Sequence, residues 1–194
     1  MESLKISIIV GSTRQHRFSE KPAQWIYEEA KKLAGVEPEL LDLRDYPLPF
    51  FDEIMGPSSL NGNYSSDGAK EWAKKVAEAD AFVVVTPEYN HGYPGVLKNA
   101  FDYAYNEWNN KPVAFVSYGG VGGARSVEQL RQVVIELQMA PIRNAVHIPG
   151  AKLFPILMGK AEWKPREDAA LQDDAKKMLT QLLWWGHALK AARG

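Results

Sequence analysis

Three polar loops contain the residue types that could bind a ligand or take part in its chemistry. The first, GSTRQHRFS over residues 11–19, combines hydroxyl side chains with Arg14 and Arg17. Hydroxyls, backbone N–H groups and the start of a following helix favour phosphate binding, and arginine adds paired hydrogen bonds. The structural alternative is a solvent-exposed loop in which Ser19 caps the helix.

The second loop follows the apolar run AFVVV and reads TPEYNHGYPG over residues 86–95. A polar loop at the carboxyl end of a buried strand is where parallel sheets bind ligands. His91 is a candidate general acid, although a histidine in an exposed loop is more often a surface residue. Glu88 is a candidate base, but we interpret it as a carboxylate that stabilises the loop.

The third loop, SYGGVGGAR over residues 117–125, has four glycines in five positions. Such a run indicates backbone that approaches a ligand closely or adopts positive φ angles. The alternative is a turn needed only for close packing of a helix on a strand. The sequence has no GxSxG or GxxxxGK[ST] motif, and its four histidines lack metal-ligand spacing, so we name no catalytic side chain and predict no metal site.

Strand and helix patterns alternate around these loops. Predicted strands cover residues 4–10, 39–43, 81–86, 112–117 and 142–148, and predicted helices cover 22–33, 69–79, 96–105, 127–137 and 167–190. This alternation predicts an α/β fold, namely a three-layer, doubly wound fold with a five-stranded parallel sheet in the order 2-1-3-4-5. That order places the three loops together, because they follow neighbouring strands. No linker or repeat divides residues 1–194, so we predict one domain.

Composition limits the classes of partner. The 194 residues are 45% hydrophobic and 24% charged, which is ordinary for a soluble domain, and a net charge of −1 argues against nucleic acid as a partner. The absence of cysteine excludes disulfides and thiolate metal sites. No apolar run approaches the roughly 18 residues that span a bilayer. We therefore predict a cytoplasmic protein with no membrane partner.

The segment PEYNxxxPGxLKNAxD over residues 87–102 resembles the signature of the NAD(P)H-dependent FMN reductase family, whose members are flavodoxin-like and also reduce quinones. The resemblance implies that the first loop binds the 5′-phosphate of FMN and that the other two loops contact the flavin. The residues that it assigns to the cofactor are Ser12, Arg14, Arg17, Phe18 and Ser19 in the first loop, Pro87, Glu88, Tyr89, Asn90 and His91 in the second, and Ser117, Gly119 and Gly120 in the third.

The same resemblance implies an oxidoreductase in which NADPH or NADH reduces bound FMN, which then passes two electrons to a small-molecule acceptor such as a quinone. The alternatives are a flavodoxin-type electron carrier, which the near-neutral net charge disfavours, and a flavin-binding sensor. Related reductases pair through the helix over residues 96–108, after the signature loop, which implies a homodimer or homotetramer here. In the alternative reading, the aromatic residues Tyr103, Tyr105 and Trp108 simply pack beneath the long loop that contains Phe50 and Phe51.

Overall fold

The computed structural model describes residues 3–193 and contains a parallel sheet covered by helices on both faces. The strands are β1 (Leu4–Val10), β2 (Val36–Asp42), β3 (Ala81–Pro87), β4 (Pro112–Tyr118), β5 (Ala140–Pro141) and β6 (Val146–Ile148). Their order is β2-β1-β3-β4-β5, and β6 pairs with β4 as well. The predicted order 2-1-3-4-5 is therefore confirmed, with a sixth short strand added.

The helices are α1 (Glu20–Ala30), α2 (Pro57–Leu60), α3 (Asp67–Glu78), α4 (Gly95–Asp102), α5 (Ala124–Glu136), α6 (Gly150–Leu157) and α7 (Ala169–Arg193). Successive strand residues point to opposite faces of the sheet, so the apolar strands supply two cores. Phe82 and Val84 pack in the core that contains the inner faces of α3, α4 and α5. Val83 and Val85 pack in the opposite core, beneath α1 and α7.

The prediction of one continuous fifth strand over 142–148 was wrong. Within this range only Val146–Ile148 forms a strand, β6, whereas β5 lies just before the range at Ala140–Pro141, and these two short strands pair with the two ends of β4. Between β5 and β6, the guanidinium of Arg131 donates to the carbonyls of Ile142 and Arg143 at 2.7 and 3.1 Å. These two carbonyls are therefore not used in the hydrogen-bond ladder of the sheet. Pro141 contributes no N–H group to that ladder, which also favours the break.

Helix α6 was not predicted, because Pro155 lies inside it and proline usually interrupts a helix. The signature helix α4 is also shorter than predicted, since it ends at Asp102 and a 3₁₀ turn over Asn106–Trp108 follows. The long loop after β2 contains the short helix α2 and is attached to α4 through Asn99. The Asn99 side chain accepts from the Phe51 N–H at 2.9 Å and donates to the Pro49 carbonyl at 2.7 Å.

Candidate functional site

The three polar loops meet at the carboxyl ends of β1, β3 and β4. The Ser12 hydroxyl lies 2.9 Å from the Tyr89 hydroxyl, which joins the first loop to the second. The Ser19 and Tyr118 hydroxyls lie 2.6 Å apart, which joins the first loop to the third. The Glu88 N–H donates to the Tyr118 carbonyl at 3.0 Å and joins the second loop to the third. The loops therefore border one continuous site, as the strand order predicts.

The first loop presents unpaired donors on one side. Arg14 is exposed, and no carboxylate within residues 3–193 pairs with its guanidinium. In the same described part of the chain, no hydrogen bond uses the backbone N–H of Thr13, Gln15 or His16. His16 has a φ angle of 52°, the left-handed conformation that often helps to form an anion-binding concavity. N–H groups and a guanidinium that have no partner among residues 3–193 are a combination that suits a phosphate group.

Arg17 lies beneath the loop and is already paired. Its side chain is 2% exposed and forms a bidentate ion pair with Asp42, at the end of β2. It also donates to Glu20 at 2.9 Å and to the Ser12 carbonyl. Burial opposes its charge, but the hydrogen bonds that it donates to Asp42 and Glu20 raise the pKa of Arg17. Arg17 therefore supports the loop from within rather than presenting a free guanidinium to a ligand.

Phe18 and Ser19 are also directed into the protein. Phe18 is 5% exposed, and its ring contacts the rings of Tyr118 and Trp163 edge-on, with centroids 5.1 Å apart in each pair. Ser19 is fully buried beside the Tyr118 hydroxyl. Burial raises the pKa of Tyr118 to about 12, so this hydroxyl stays neutral and able to donate. These two residues of the predicted phosphate set fix the loop against the third loop.

We expect Asp42→Asn to lower the free energy of unfolding by about 2 kcal/mol at neutral pH. Breaking a buried ion pair usually costs more, but Glu20 remains as a partner for Arg17. Burial alone would raise the pKa of Asp42, yet the hydrogen bonds from Arg17 and from the Arg44 backbone lower it. Because the folded-state pKa is depressed, the stabilisation is present above the usual carboxyl pKa and is lost as pH falls through the lowered value. Urea unfolding of both proteins across that acidic range checks the prediction, and an equal difference at every pH would contradict it.

The second loop turns sharply at residues 89–92. The backbones of Tyr89 and Gly92 exchange hydrogen bonds of 2.8 and 2.9 Å, and the two residues between them, Asn90 and His91, have φ angles of 50° and 69°. Two consecutive positive φ angles are those of a type I′ turn. The Gln129 side chain of α5 donates to the His91 carbonyl at 2.9 Å. The turn is therefore fixed in shape, while the Asn90 and His91 side chains are exposed at its tip.

Glu88 connects the second loop to the start of α5. Its carboxylate accepts from the Arg125 backbone N–H at 3.3 Å and from the Arg125 guanidinium at 2.7 Å. The residue before α5, Gly123, has no side chain to cap the helix, so Glu88 performs that function from another loop. The interpretation of Glu88 as a loop-stabilising carboxylate fits this geometry, and Pro87 before it is buried at the end of β3.

The third loop is held from below by Ser117. The buried Ser117 hydroxyl donates to the Gly122 carbonyl at 2.7 Å and lies 2.8 Å from Nδ1 of His147 on β6. Since the hydroxyl proton is used on Gly122, the Ser117 oxygen is left to accept a hydrogen bond from Nδ1–H of His147. Above this network, Gly120 is exposed and Gly119 is partly exposed, so their backbone is the part of the loop available to a ligand.

The sequence patterns did not single out Asp42 and Arg44, which support the first loop without belonging to it. Asp42 could have been found, because it lies at the carboxyl end of the strand adjacent to β1. His147 stands near a strand end, which is typical of a structural or pocket-edge residue, and from β6 it supports the third loop through Ser117. Within residues 3–193, no cluster of three or more His, Asp or Glu side chains is arranged to hold a metal ion. In this same part of the chain, no helix is long and apolar enough to cross a bilayer.

The site fits FMN in its chemistry. The free donors around Arg14 suit the phosphate, and the exposed backbone of the second and third loops offers amide and carbonyl groups to the polar edge of a flat ring. A side chain at Gly119 would lie 3.1 Å from the Glu88 side chain, so glycine keeps these two loops close together. The glycine at this position thus preserves the junction that the ring would face.

Comparison with known proteins identifies the family. The family model described as NADPH-dependent FMN reductase matches residues 4–152. A Schizosaccharomyces pombe NAD(P)H-dependent FMN reductase is 42% identical over 151 residues, which is 77% of this chain and 76% of the relative. A Burkholderia 2-hydroxy-1,4-benzoquinone reductase is 35% identical over 147 residues, 71% of this chain and 73% of the relative. The solved flavoenzyme NAD(P)H:(acceptor) oxidoreductase FerB of Paracoccus denitrificans shares the fold, with a TM-score of 0.68, 21% identity and coverage of 97% and 98%. The chain therefore belongs to the NADPH-dependent FMN reductase family.

Proposed function

We propose that this protein is an FMN-containing NAD(P)H oxidoreductase that reduces quinones, free flavin or other small electrophiles. Bound FMN supplies the chemistry, by accepting hydride from NADPH or NADH and delivering two electrons to the acceptor. The observation that carries the proposal is the first loop, where Arg14 is exposed, Arg17 is buried and paired, and the backbone N–H groups of Thr13 and Gln15 have no partner within residues 3–193. The relatives named as reductases agree with this activity and do not favour a simple electron carrier.

Each loop has a separate task in this proposal. Arg14 and the N–H groups after Ser12 hold the 5′-phosphate, while Arg17, Phe18 and Ser19 keep the loop in shape from inside. The backbones of the 87–91 segment and of Gly119 and Gly120 border the flavin ring. Tyr89 and the exposed side chains of Asn90 and His91 flank its open face. No side chain acts as a nucleophile, because the cofactor carries the electrons.

The decisive experiment is an absorbance titration of the purified protein with FMN, followed by NADPH and then NADH in the absence of air. We expect both donors to bleach the bound flavin, and a quinone such as menadione to restore its colour. Steady oxidation of NADPH by catalytic amounts of the protein and excess quinone would then establish turnover. Tight FMN binding without NADPH or NADH oxidation would instead favour the flavodoxin-type carrier or the sensor.

We also propose a homodimer, which could assemble further into a tetramer. Tyr103 and Trp108 do not form its surface, since both are fully buried, and Phe51 packs on Tyr103 with ring centroids 5.2 Å apart. Exposed apolar residues include Val121 of the third loop at 48%, Val96 at the start of α4 at 40%, and Phe50, Ile54 and Met55 of the long loop at 85%, 100% and 55%. Phe50 and Val96 line one cleft of about 530 Å³ with Thr13 of the first loop. A second copy that covers this cleft would complete the wall of the cofactor site.

Light scattering during size exclusion tests the dimer, and we expect a mass near twice the 21.7 kDa of one chain. Phe50→Ser should shift the equilibrium towards the monomer, because it removes an exposed aromatic contact. Phe154→Ser is the matched control, since Phe154 is another exposed phenylalanine, on α6. A single-chain mass for the unmodified protein at high concentration would reject the proposal.

The remaining proposals concern location and organisation. We propose that the protein acts in the cytoplasm, which the absence of cysteine in its 194 residues supports. We also propose that the chain forms one domain, because both cores are built on the same sheet. Fractionation of the native host and a single cooperative unfolding transition test the two proposals, respectively.

A further inference from the structure

Arg44, just beyond the end of β2, binds the main chain of the first loop. Its Nε donates to the Thr13 carbonyl at 3.3 Å, and its Nη2 donates to the Arg14 carbonyl at 2.6 Å. Arg17 donates to the Ser12 carbonyl. Two guanidinium groups therefore engage the carbonyls of three consecutive residues. Arg44 lies outside the three loops and the 87–102 signature that the sequence patterns identified.

This arrangement determines where the loop's N–H groups point. In a trans peptide, the carbonyl of one residue and the N–H of the next lie in the same plane and point in opposite directions. Engaging the carbonyls of Ser12, Thr13 and Arg14 therefore directs the N–H group of each following residue (Thr13, Arg14 and Gln15) away from the guanidinium that binds that carbonyl. The N–H groups of Thr13 and Gln15 have no partner within residues 3–193, and that of Arg14 makes only a 3.5 Å contact with Ser12. Successive N–H groups that the protein leaves without strong partners can form a concavity that attracts an anion.

Arg44 is itself held in place on both sides. Its Nη1 donates to Glu20 at 3.2 Å, and its backbone N–H donates to Asp42 at 2.9 Å. Glu20 and Asp42 are also the partners of Arg17, so the two arginines share one pair of carboxylates. Three donors of the Arg44 side chain are thus used on protein groups, and two of these bind carbonyls of the loop.

We propose that Arg44 is a positioning residue for the phosphate of FMN. It fixes the first loop through the carbonyls of Thr13 and Arg14, and it does not contact the phosphate itself. This inference rests on the proposed function, because it requires that the first loop bind the 5′-phosphate. It predicts that the geometry of the guanidinium fork matters as well as its charge. A lysine at this position has the charge but cannot donate to both carbonyls in the same fixed geometry.

The test compares FMN with riboflavin, which has the same ring system and no phosphate, in binding to the apoprotein. For Arg44→Met, we expect the dissociation constant for FMN to rise about tenfold and that for riboflavin to change less than about twofold. Arg166→Met is the matched control, since Arg166 is an exposed arginine that also pairs with a glutamate of α1. It should leave both constants unchanged. Thermal unfolding of each apoprotein shows whether the variant is folded.

Arg44→Lys distinguishes the geometry of the guanidinium from its charge. This variant provides the test if Arg44→Met does not fold. We expect FMN binding to Arg44→Lys to be weakened nearly as much as in Arg44→Met. Full FMN affinity in the lysine variant would overturn the inference, because charge alone would then be sufficient. Equal losses for FMN and riboflavin would also overturn it. If the unmodified protein bound no FMN at all, the proposed function itself would be wrong, and this result differs from one in which only the role of Arg44 is wrong.

Discussion

Gly123→Ala is expected to lower the free energy of unfolding by about 3 kcal/mol and to weaken FMN binding more than tenfold. Gly123 has a φ angle of 76°, and a Cβ there would lie 2.6 Å from the Ser117 Cβ and 2.8 Å from the Tyr118 backbone nitrogen. Neither atom can move easily, since Ser117 is fully buried and Tyr118 belongs to β4. The third loop must therefore shift, which would move the Gly119 and Gly120 backbone that borders the flavin in our proposal.

Gly159→Ala is the matched control for this prediction. Gly159 has a φ angle of 69°, but a Cβ there would have no neighbour within 4 Å. It should therefore show only the cost of a left-handed backbone, about 1 kcal/mol, with normal FMN binding. Chemical unfolding and FMN titration of both variants measure the two effects. Equal losses of stability in the two variants would contradict the role of the close contact with Ser117.

The topology and the location of the site were predictable from sequence because they depend on strong local patterns. The runs LKISIIV and AFVVV are long enough in apolar and β-branched residues to indicate strands buried on both faces. Their alternation with helices then fixes which loops become neighbours. The junctions of Ser12 with Tyr89 and of Ser19 with Tyr118 follow from that strand order.

The internal supports of the site were not predictable, because they depend on side-chain partners that are far apart in sequence. Arg14 and Arg17 look equivalent in the sequence, yet Arg14 is exposed and Arg17 is paired with Asp42, 25 positions away. Glu88 caps a helix that begins 36 residues later, at Ala124, and no local pattern links the two. Local patterns also gave a wrong prediction for the fifth strand. In that segment, the hydrogen bonds from Arg131 to the carbonyls of Ile142 and Arg143 outweigh the β-forming tendency of the residues.

Arg14→Ala is expected to raise the dissociation constant for FMN about 30-fold, which corresponds to about 2 kcal/mol for a hydrogen bond to a charged group. Its exposed guanidinium has no ion-pair partner within residues 3–193, and in the same loop the N–H groups of Thr13 and Gln15 are also without a partner there. Riboflavin binding should change little, because the lost contact is to the phosphate. Fluorescence titration of the apoprotein with both ligands measures the difference.

The stability of the Arg14→Ala variant distinguishes a ligand contact from a structural one. Because Arg14 is exposed and its side chain has no partner within residues 3–193, its removal should leave the midpoint of thermal unfolding of the apoprotein unchanged. Arg143→Ala, which removes another exposed arginine at the same cost in net charge, is the control for FMN binding. If Arg143→Ala weakened FMN binding as much as Arg14→Ala, overall charge would explain the effect. If Arg14→Ala retained full affinity, the phosphate would have to lie on the N–H groups alone, and the assignment of Arg14 would be wrong.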